Sequence, residues 1–226
     1  LLDAIELLKK SNGGKGKLVA GTSSAEPANV LIIGGGIVGI NAMQMSLGLG
    51  AKTTLLDVNS DTLSKIKESY PSVNIAESSK SVIESILPTV DIIVGAVLTP
   101  GGKPPTVITK EMLKLMEPKT VLSDVSVDQG GCFETSKPTT HDKPTYLVDD
   151  IIHYCVKNIP SAVPFTATNA LNEATRPFIL KFANSGLNGM FNDNNLIMAL
   201  NTFKGKLTNQ EVAQAHNLKF VAAKEV

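Results

Sequence analysis

Six consecutive residues, Gly34-Gly35-Gly36-Ile37-Val38-Gly39, have the spacing GxGxxG, and Asp57 follows 18 residues after the last of them. The chemistry such a set can do is to hold a dinucleotide. Gly34 allows a tight turn, Gly36 lets backbone approach a pyrophosphate, and Gly39 permits a helix to pack closely on a strand. The pyrophosphate would meet unpaired N–H groups and the positive end of a helix dipole. Asp57 would accept hydrogen bonds from the adenosine ribose. The residues after it, Val58-Asn59-Ser60, include no Arg for a 2′-phosphate, which favours NAD over NADP. Gly34, Gly36, Ile37, Val38, Gly39 and Asp57 are therefore candidate cofactor contacts.

A second set of polar residues lies further on. Asp124 and Asp128 flank an expected strand end, where open α/β sheets bind their ligands. Asp128 could serve chemistry or only cap a turn. Gln129-Gly130-Gly131 after it permits a sharp bend. His141, His153 and His216 have no ligand spacing and read as surface or structural histidines. Cys132 and Cys155 form neither a CxxC pair nor a metal pattern, so no metal is expected and both read as reduced thiols of a cytoplasmic protein.

These residues need a scaffold that delivers them to one edge. Val30-Leu31-Ile32-Ile33 is an apolar run of the kind buried on both faces of a parallel sheet. The glycine turn follows, then a helix over 37–49 ending at Gly50, and a strand Thr53-Thr54-Leu55-Leu56 that closes on Asp57. The alternation continues with helices over 61–68, 81–87 and 110–116. Strands are expected at Ile92-Ile93-Val94, Val121-Leu122, Tyr146-Leu147-Val148 and 152–156. A short helix over 5–10 should stop at Ser11-Asn12-Gly13-Gly14. Such alternation implies a mostly parallel, doubly wound α/β sheet. Near Pro160 the character changes to helix: 170–184, with Pro177 as a kink or restart, then 196–200 and 210–216. The expected organisation is a nucleotide domain over 1–161 and a helical part over 162–226.

Composition narrows the class. The chain has 226 residues, 42% hydrophobic and 19% charged, ample for a buried core. Lys+Arg and Asp+Glu balance at 21 each, and Arg176 is the only arginine, so a nucleic-acid partner is not expected. No apolar run reaches the roughly 18 residues of a membrane span. Leu1-Leu2-Asp3-Ala4 carries no basic region of a signal peptide, and the missing initiator Met suggests a processed chain or a fragment.

The segments 34–57, Gly95-Ala96-Val97-Leu98-Thr99-Pro100-Gly101 and Asp124-Val125-Ser126-Val127-Asp128-Gln129-Gly130-Gly131 together resemble alanine dehydrogenase. Pro138-Thr139-Thr140-His141-Asp142, the stretch 154–160 and Ala170-Leu171-Asn172-Glu173-Ala174-Thr175 extend the likeness over nearly the whole chain. The related nicotinamide nucleotide transhydrogenases usually carry Glu where this chain has Asp128. The resemblance implies a Rossmann-type sheet with a C-terminal helical extension, and reversible deamination of L-alanine to pyruvate and ammonium with hydride passing to NAD. It also implies that Val97 and Leu98 lie along the cofactor, that Ser126 and Asn158 contact nicotinamide or its ribose, and that Ser78 or Ser79 approaches the adenosine. The resemblance gives Asp128 the catalytic role. Ile159 stands where the family usually has Met. The family's N-terminal half, which supplies an Arg, a Lys and a His, has no match here. Family members commonly form hexamers, so a homo-oligomer is expected. Other readings are a stand-alone NAD-binding or regulatory module and a transhydrogenase-like subunit.

Overall fold

A computed structural model describes residues 1–99 and 102–226. The chain divides into two compact units, the first built on Leu1–Thr99 and Pro104–Lys157, the second on Asn158–Val226.

The first unit opens with α1 (Leu2–Glu6) and a 3-10 turn at Lys10–Asn12. This is a shift from the expected helix over 5–10. The break expected at Ser11–Gly14 is present, with Gly13 left-handed at φ 82°. Strand β1 (Asn29–Ile33), helix α2 (Ile37–Gly48) and strand β2 (Lys52–Asp57) follow, then α3 (Ser60–Ser69), β3 (Asn74–Glu77) and α4 (Lys80–Ile86). After β4 (Ile92–Gly95) comes β5 (Val121–Asp124), and the hairpin β6 (Thr145–Val148) and β7 (Ile151–Tyr154) closes the unit.

Seven strands form one sheet in the order β3-β2-β1-β4-β5-β7-β6, parallel except for the β6–β7 pair. The period-2 geometry of a strand explains the apolar runs. Val30, Ile32, Leu55, Ile92 and Val94 join one core with Ala4, Leu8, Met43, Leu63 and Ile66 from α1, its flank, α2 and α3. Leu31, Ile33, Leu56, Ile93 and Leu122 join a second core with Ile83, Leu87, Met112 and Leu113. Each such side chain contributes roughly 1.5–3 kcal/mol on burial.

Two further expectations are corrected in this unit. Residues expected as a helix over 110–116 form a 3-10 turn, Glu111–Leu115. The last strand is Ile151–Tyr154, not 152–156, because Val156 leaves the ladder to bridge Thr139. Strand β3 was not foreseen. Its residues Asn74-Ile75-Ala76-Glu77 carry little apolar signal because an edge strand need bury little.

A buried charge locks the foot of the sheet. Asp91, 3% exposed at the side chain, pairs with Lys15 at 3.1 Å and Lys17 at 2.7 Å, and accepts the Asn29 N–H at 2.8 Å. Burial by itself would raise its pKa. The hydrogen bonds from Lys17, Asn29 and Lys15 outweigh this and hold the carboxyl below the ordinary range. A depressed folded-state pKa means that the contribution is complete above the unfolded value and is lost as pH falls through the folded one. Asp91→Asn should therefore cost about 2–4 kcal/mol at neutral pH, since it takes the carboxylate from the partly buried Lys17 and leaves Lys15 with Glu117 as its counter-charge. Thermal melts from pH 7 to pH 3 check this. The variant should melt lower at pH 7 and converge on the parent in acid, and equal midpoints at pH 7 would refute the role.

The second unit contains α5 (Pro164–Phe191), α6 (Asn194–Met198), the two-residue strands β8 (Thr202–Phe203) and β9 (Lys206–Leu207), and α7 (Gln210–Ala215). Pro177 does not restart α5, whose backbone angles stay helical there. The non-helical residue is Gly186, at φ 59° and ψ −160°. Proline's fixed φ is compatible with helical angles, although it removes one hydrogen bond and crowds the preceding turn, whereas a positive φ cannot continue a helix. No residue of α5 is buried, and Phe165, Leu171, Phe178, Ile179 and Leu180 are exposed. Among the described residues no helix is long and apolar enough to cross a membrane.

Candidate dinucleotide-binding site

The sheet order reverses between β1 and β4, and the chain leaves both strands at their carboxyl ends. In doubly wound sheets that crevice is where ligands bind. Gly34 follows β1 with φ 110°, and a Cβ there would sit 2.4 Å from the Ala96 carbonyl oxygen beyond β4. The turn and the β4 end thus meet backbone to backbone. A Cβ on Gly39 would lie 1.8 Å from the Gly34 carbonyl oxygen and 3.4 Å from the Ile32 side chain. This sharpens the expected role of Gly39, which lets α2 approach the turn even more closely than the strand.

Gly36 differs in kind. Its backbone, at φ −75° and ψ −172°, is one that any residue adopts, and no atom lies within 4 Å of its Cβ position. Neither conformation nor internal packing requires glycine there. What remains is space for something outside the chain to approach the start of α2, where no side chain caps the helix. Ile37 (84% exposed) and Val38 (48% exposed) flank that opening. An uncapped helix start beside a bare backbone fits an anionic pyrophosphate.

Asp57 ends β2 beside the turn. One carboxylate oxygen accepts the Gly35 N–H at 2.5 Å, and the other accepts the Asn59 N–H at 2.8 Å. It is half-buried. A carboxylate holding two backbone donors is fixed in orientation and keeps lone pairs for a ribose. The sequence did not reveal the Gly35 bond, which makes Asp57 a brace for the turn as well as a candidate ligand contact. The Ser78 N–H donates to the Asp57 carbonyl at 2.9 Å, so Ser78 lies alongside. The neighbouring Ser79 hydroxyl caps α4 through the Val82 N–H at 3.3 Å.

Across the crevice, the Ser126 hydroxyl donates to the Val97 carbonyl at 2.5 Å, tying the loop after β5 to the loop after β4. Val97 is half-buried and Leu98 exposed. The motif containing them ends in Pro100 and Gly101, which lie outside the described residues. Asp128 is exposed on the 3-10 turn Val127–Gln129. Contacts among the first-unit candidates bring together Gly34, Gly39, Asp57, Val97 and Ser126. Asn158 and Ile159 belong to the second unit, where Asn158 is left-handed at φ 51° ahead of the 3-10 turn Ile159–Ala162. His153 is structural: fully buried, bonded to Thr135 and the Ile151 carbonyl, with its pKa lowered by burial.

The family model for the alanine dehydrogenase/PNT C-terminal domain matches residues 1–210. This chain belongs to the alanine dehydrogenase/PNT family. An alanine dehydrogenase of Halomonas elongata is 46% identical over 218 residues, covering 96% of this chain and 59% of that protein. Alanine dehydrogenase 2 of Staphylococcus aureus (strain USA300) is 44% identical over 223 residues, 97% of this chain and 60% of that one. A solved structure titled L-alanine dehydrogenase superposes with a TM-score of 0.88 at 38% identity, covering 96% of this chain and 60% of the other. A transhydrogenase from Sinorhizobium meliloti shares the fold, at a TM-score of 0.58 and 20% identity over 66% of this chain and 45% of that one. The alanine dehydrogenase/PNT chain described here therefore spans about 60% of the length of the relatives it matches.

Proposed function

We propose that these residues are the NAD-binding portion of an alanine dehydrogenase, acting in reversible oxidative deamination of L-alanine to pyruvate and ammonium. The observation that carries the dinucleotide part is Gly36, a glycine that neither backbone conformation nor packing requires. Family membership supports the substrate and favours this reading over a stand-alone module. Bound NAD would supply the hydride acceptor. The protein's part is to grip and orient it. Gly34, Gly36 and Gly39 with Ile37 and Val38 would seat the pyrophosphate, and Asp57, with Ser78 or Ser79 nearby, would hold the adenosine ribose. Val97, Leu98 and Ser126 would line the nicotinamide half. Asp128 would do the acid–base work on the amine and carbinolamine.

We also propose a homo-oligomer, a hexamer as in the family, and a cytoplasmic setting. The exposed apolar side chains of α5 support the first, and two unpaired buried cysteines fit the second.

The test is titration of the 226-residue chain with NADH, by calorimetry and by nicotinamide fluorescence. Saturable binding is expected, with NADPH weaker. In a preparation holding only these residues, no alanine-dependent NADH formation is expected, and robust turnover would contradict that part. Asp57→Ala should weaken NADH binding by about 1–3 kcal/mol through loss of a charged hydrogen-bond acceptor. Asp57→Asn, which keeps one oxygen for Gly35, should lose less. Unchanged affinity in both would remove Asp57 from the ribose site.

A further inference from the structure

Asp124, the last residue of β5, is fully buried, yet no lysine, arginine or histidine pairs with it among the described contacts. What surrounds its carboxylate is a ring of neutral donors. One oxygen accepts the Ser126 N–H at 2.9 Å. The other accepts the Cys132 N–H at 2.9 Å, the Phe133 N–H at 3.4 Å and the Ser136 hydroxyl. The Cys132 thiol approaches at 3.5 Å. These donors come from both ends of one loop, so a single side chain staples residues 125–131 into shape. Gly131 completes the fit, being left-handed at φ 78° with its Cβ position 2.8 Å from the Asp124 carboxylate. Ser126, held by this staple, makes the 2.5 Å bond to Val97.

The place of this loop in the sheet decides what it can affect. Asp57 lies on the β2 side of the switch point, so a dinucleotide with its adenosine there must cross the β1–β4 crevice. Its other half would then meet the ends of β4 and β5, where Val97, Ser126 and Asp128 stand. We infer that Asp124 is a positioning residue for the nicotinamide half of the cofactor, setting the Ser126–Asp128 loop without touching the ligand. The inference rests on the dinucleotide reading above.

Asparagine at 124 is nearly the same size but carries one acceptor oxygen and one NH2. Whichever way the amide turns, its NH2 faces donors, either Ser126 N–H or the Cys132, Phe133 and Ser136 group. The loop must then move. The experiment compares NADH with ADP-ribose, which keeps the adenosine and pyrophosphate but lacks nicotinamide, on the parent chain and on Asp124→Asn. NADH affinity should fall about tenfold or more, with weaker bound-nicotinamide emission, while ADP-ribose affinity stays within about twofold. Parallel losses for both ligands would show a merely structural residue and overturn the inference, as would no loss for either. If Asp124→Asn fails to fold by circular dichroism, Ser136→Ala takes its place under the same criterion, with a smaller NADH-selective loss expected. A folded parent that binds neither ligand would instead overturn the dinucleotide reading itself.

Discussion

Replacing Gly39 by valine is expected to abolish NADH binding and to lower the thermal midpoint by roughly 6–12 °C. The cause is steric and local. The Cβ position is 1.8 Å from the Gly34 carbonyl oxygen, and both partners are backbone. No rotamer change relieves such a contact, so α2 must slide away from the turn. Overpacking against backbone lies at the upper end of the usual range, about 3 kcal/mol. At this chain length each kcal/mol moves the midpoint by about 2–4 °C. Gly36→Val is the informative partner experiment. Its side chain would project into open space from an ordinary backbone conformation. Stability should stay within about 0.5 kcal/mol, while NADH affinity falls tenfold or more because the pyrophosphate's approach is blocked. Scanning calorimetry and NADH titration on the two variants would separate folding from binding. A Gly36→Val protein that binds like the parent would show that no ligand approaches there.

Asp128→Asn is expected to leave NADH affinity within about twofold and to reduce turnover by about two to four orders of magnitude. The assay needs a protein that also carries the segment its relatives possess beyond the matched residues. Asparagine preserves the side chain's size on the 3-10 turn Val127–Gln129, so the loop geometry set by Asp124 should survive. What asparagine lacks is a titratable oxygen that can take up a proton and give it back. Steady-state rates with L-alanine and with pyruvate plus ammonium, read beside NADH binding, would check both halves of the statement. Full activity would remove Asp128 from the chemistry. Equal losses in binding and turnover would recast it as a cofactor contact.

Much of the nucleotide half was legible because its information is local. Gly34, Gly39 and Asp57 announce themselves by spacing, and β1 and β4 by unbroken apolar runs that feed both cores of the sheet. The features that escaped depend on partners distant in sequence or on weak local signal. Nothing near Asp91 points to Lys15 and Lys17, more than seventy residues earlier. Asp124 reads as one acid at a strand end until Ser126, Cys132 and Ser136 close around it. Strand β3 has one large apolar residue, Ile75, and β8 and β9 are two residues each. At α5 the local rule itself misled, since proline is the stronger helix breaker on paper while Gly186 carries the break.

The two cysteines make the fold its own reporter. Burial raises both thiols above the ordinary cysteine value, and the nearby Asp124 charge raises Cys132 further, so neither is poised to become a thiolate. A thiol-specific reagent must therefore wait for an opening event. Cys132 lies under the Asp124-held loop and Cys155 just past β7, so their separate labelling rates would time two different motions. In a chain with no tryptophan, the Cys132 clock offers a direct view of how often the Asp124-held loop lets go.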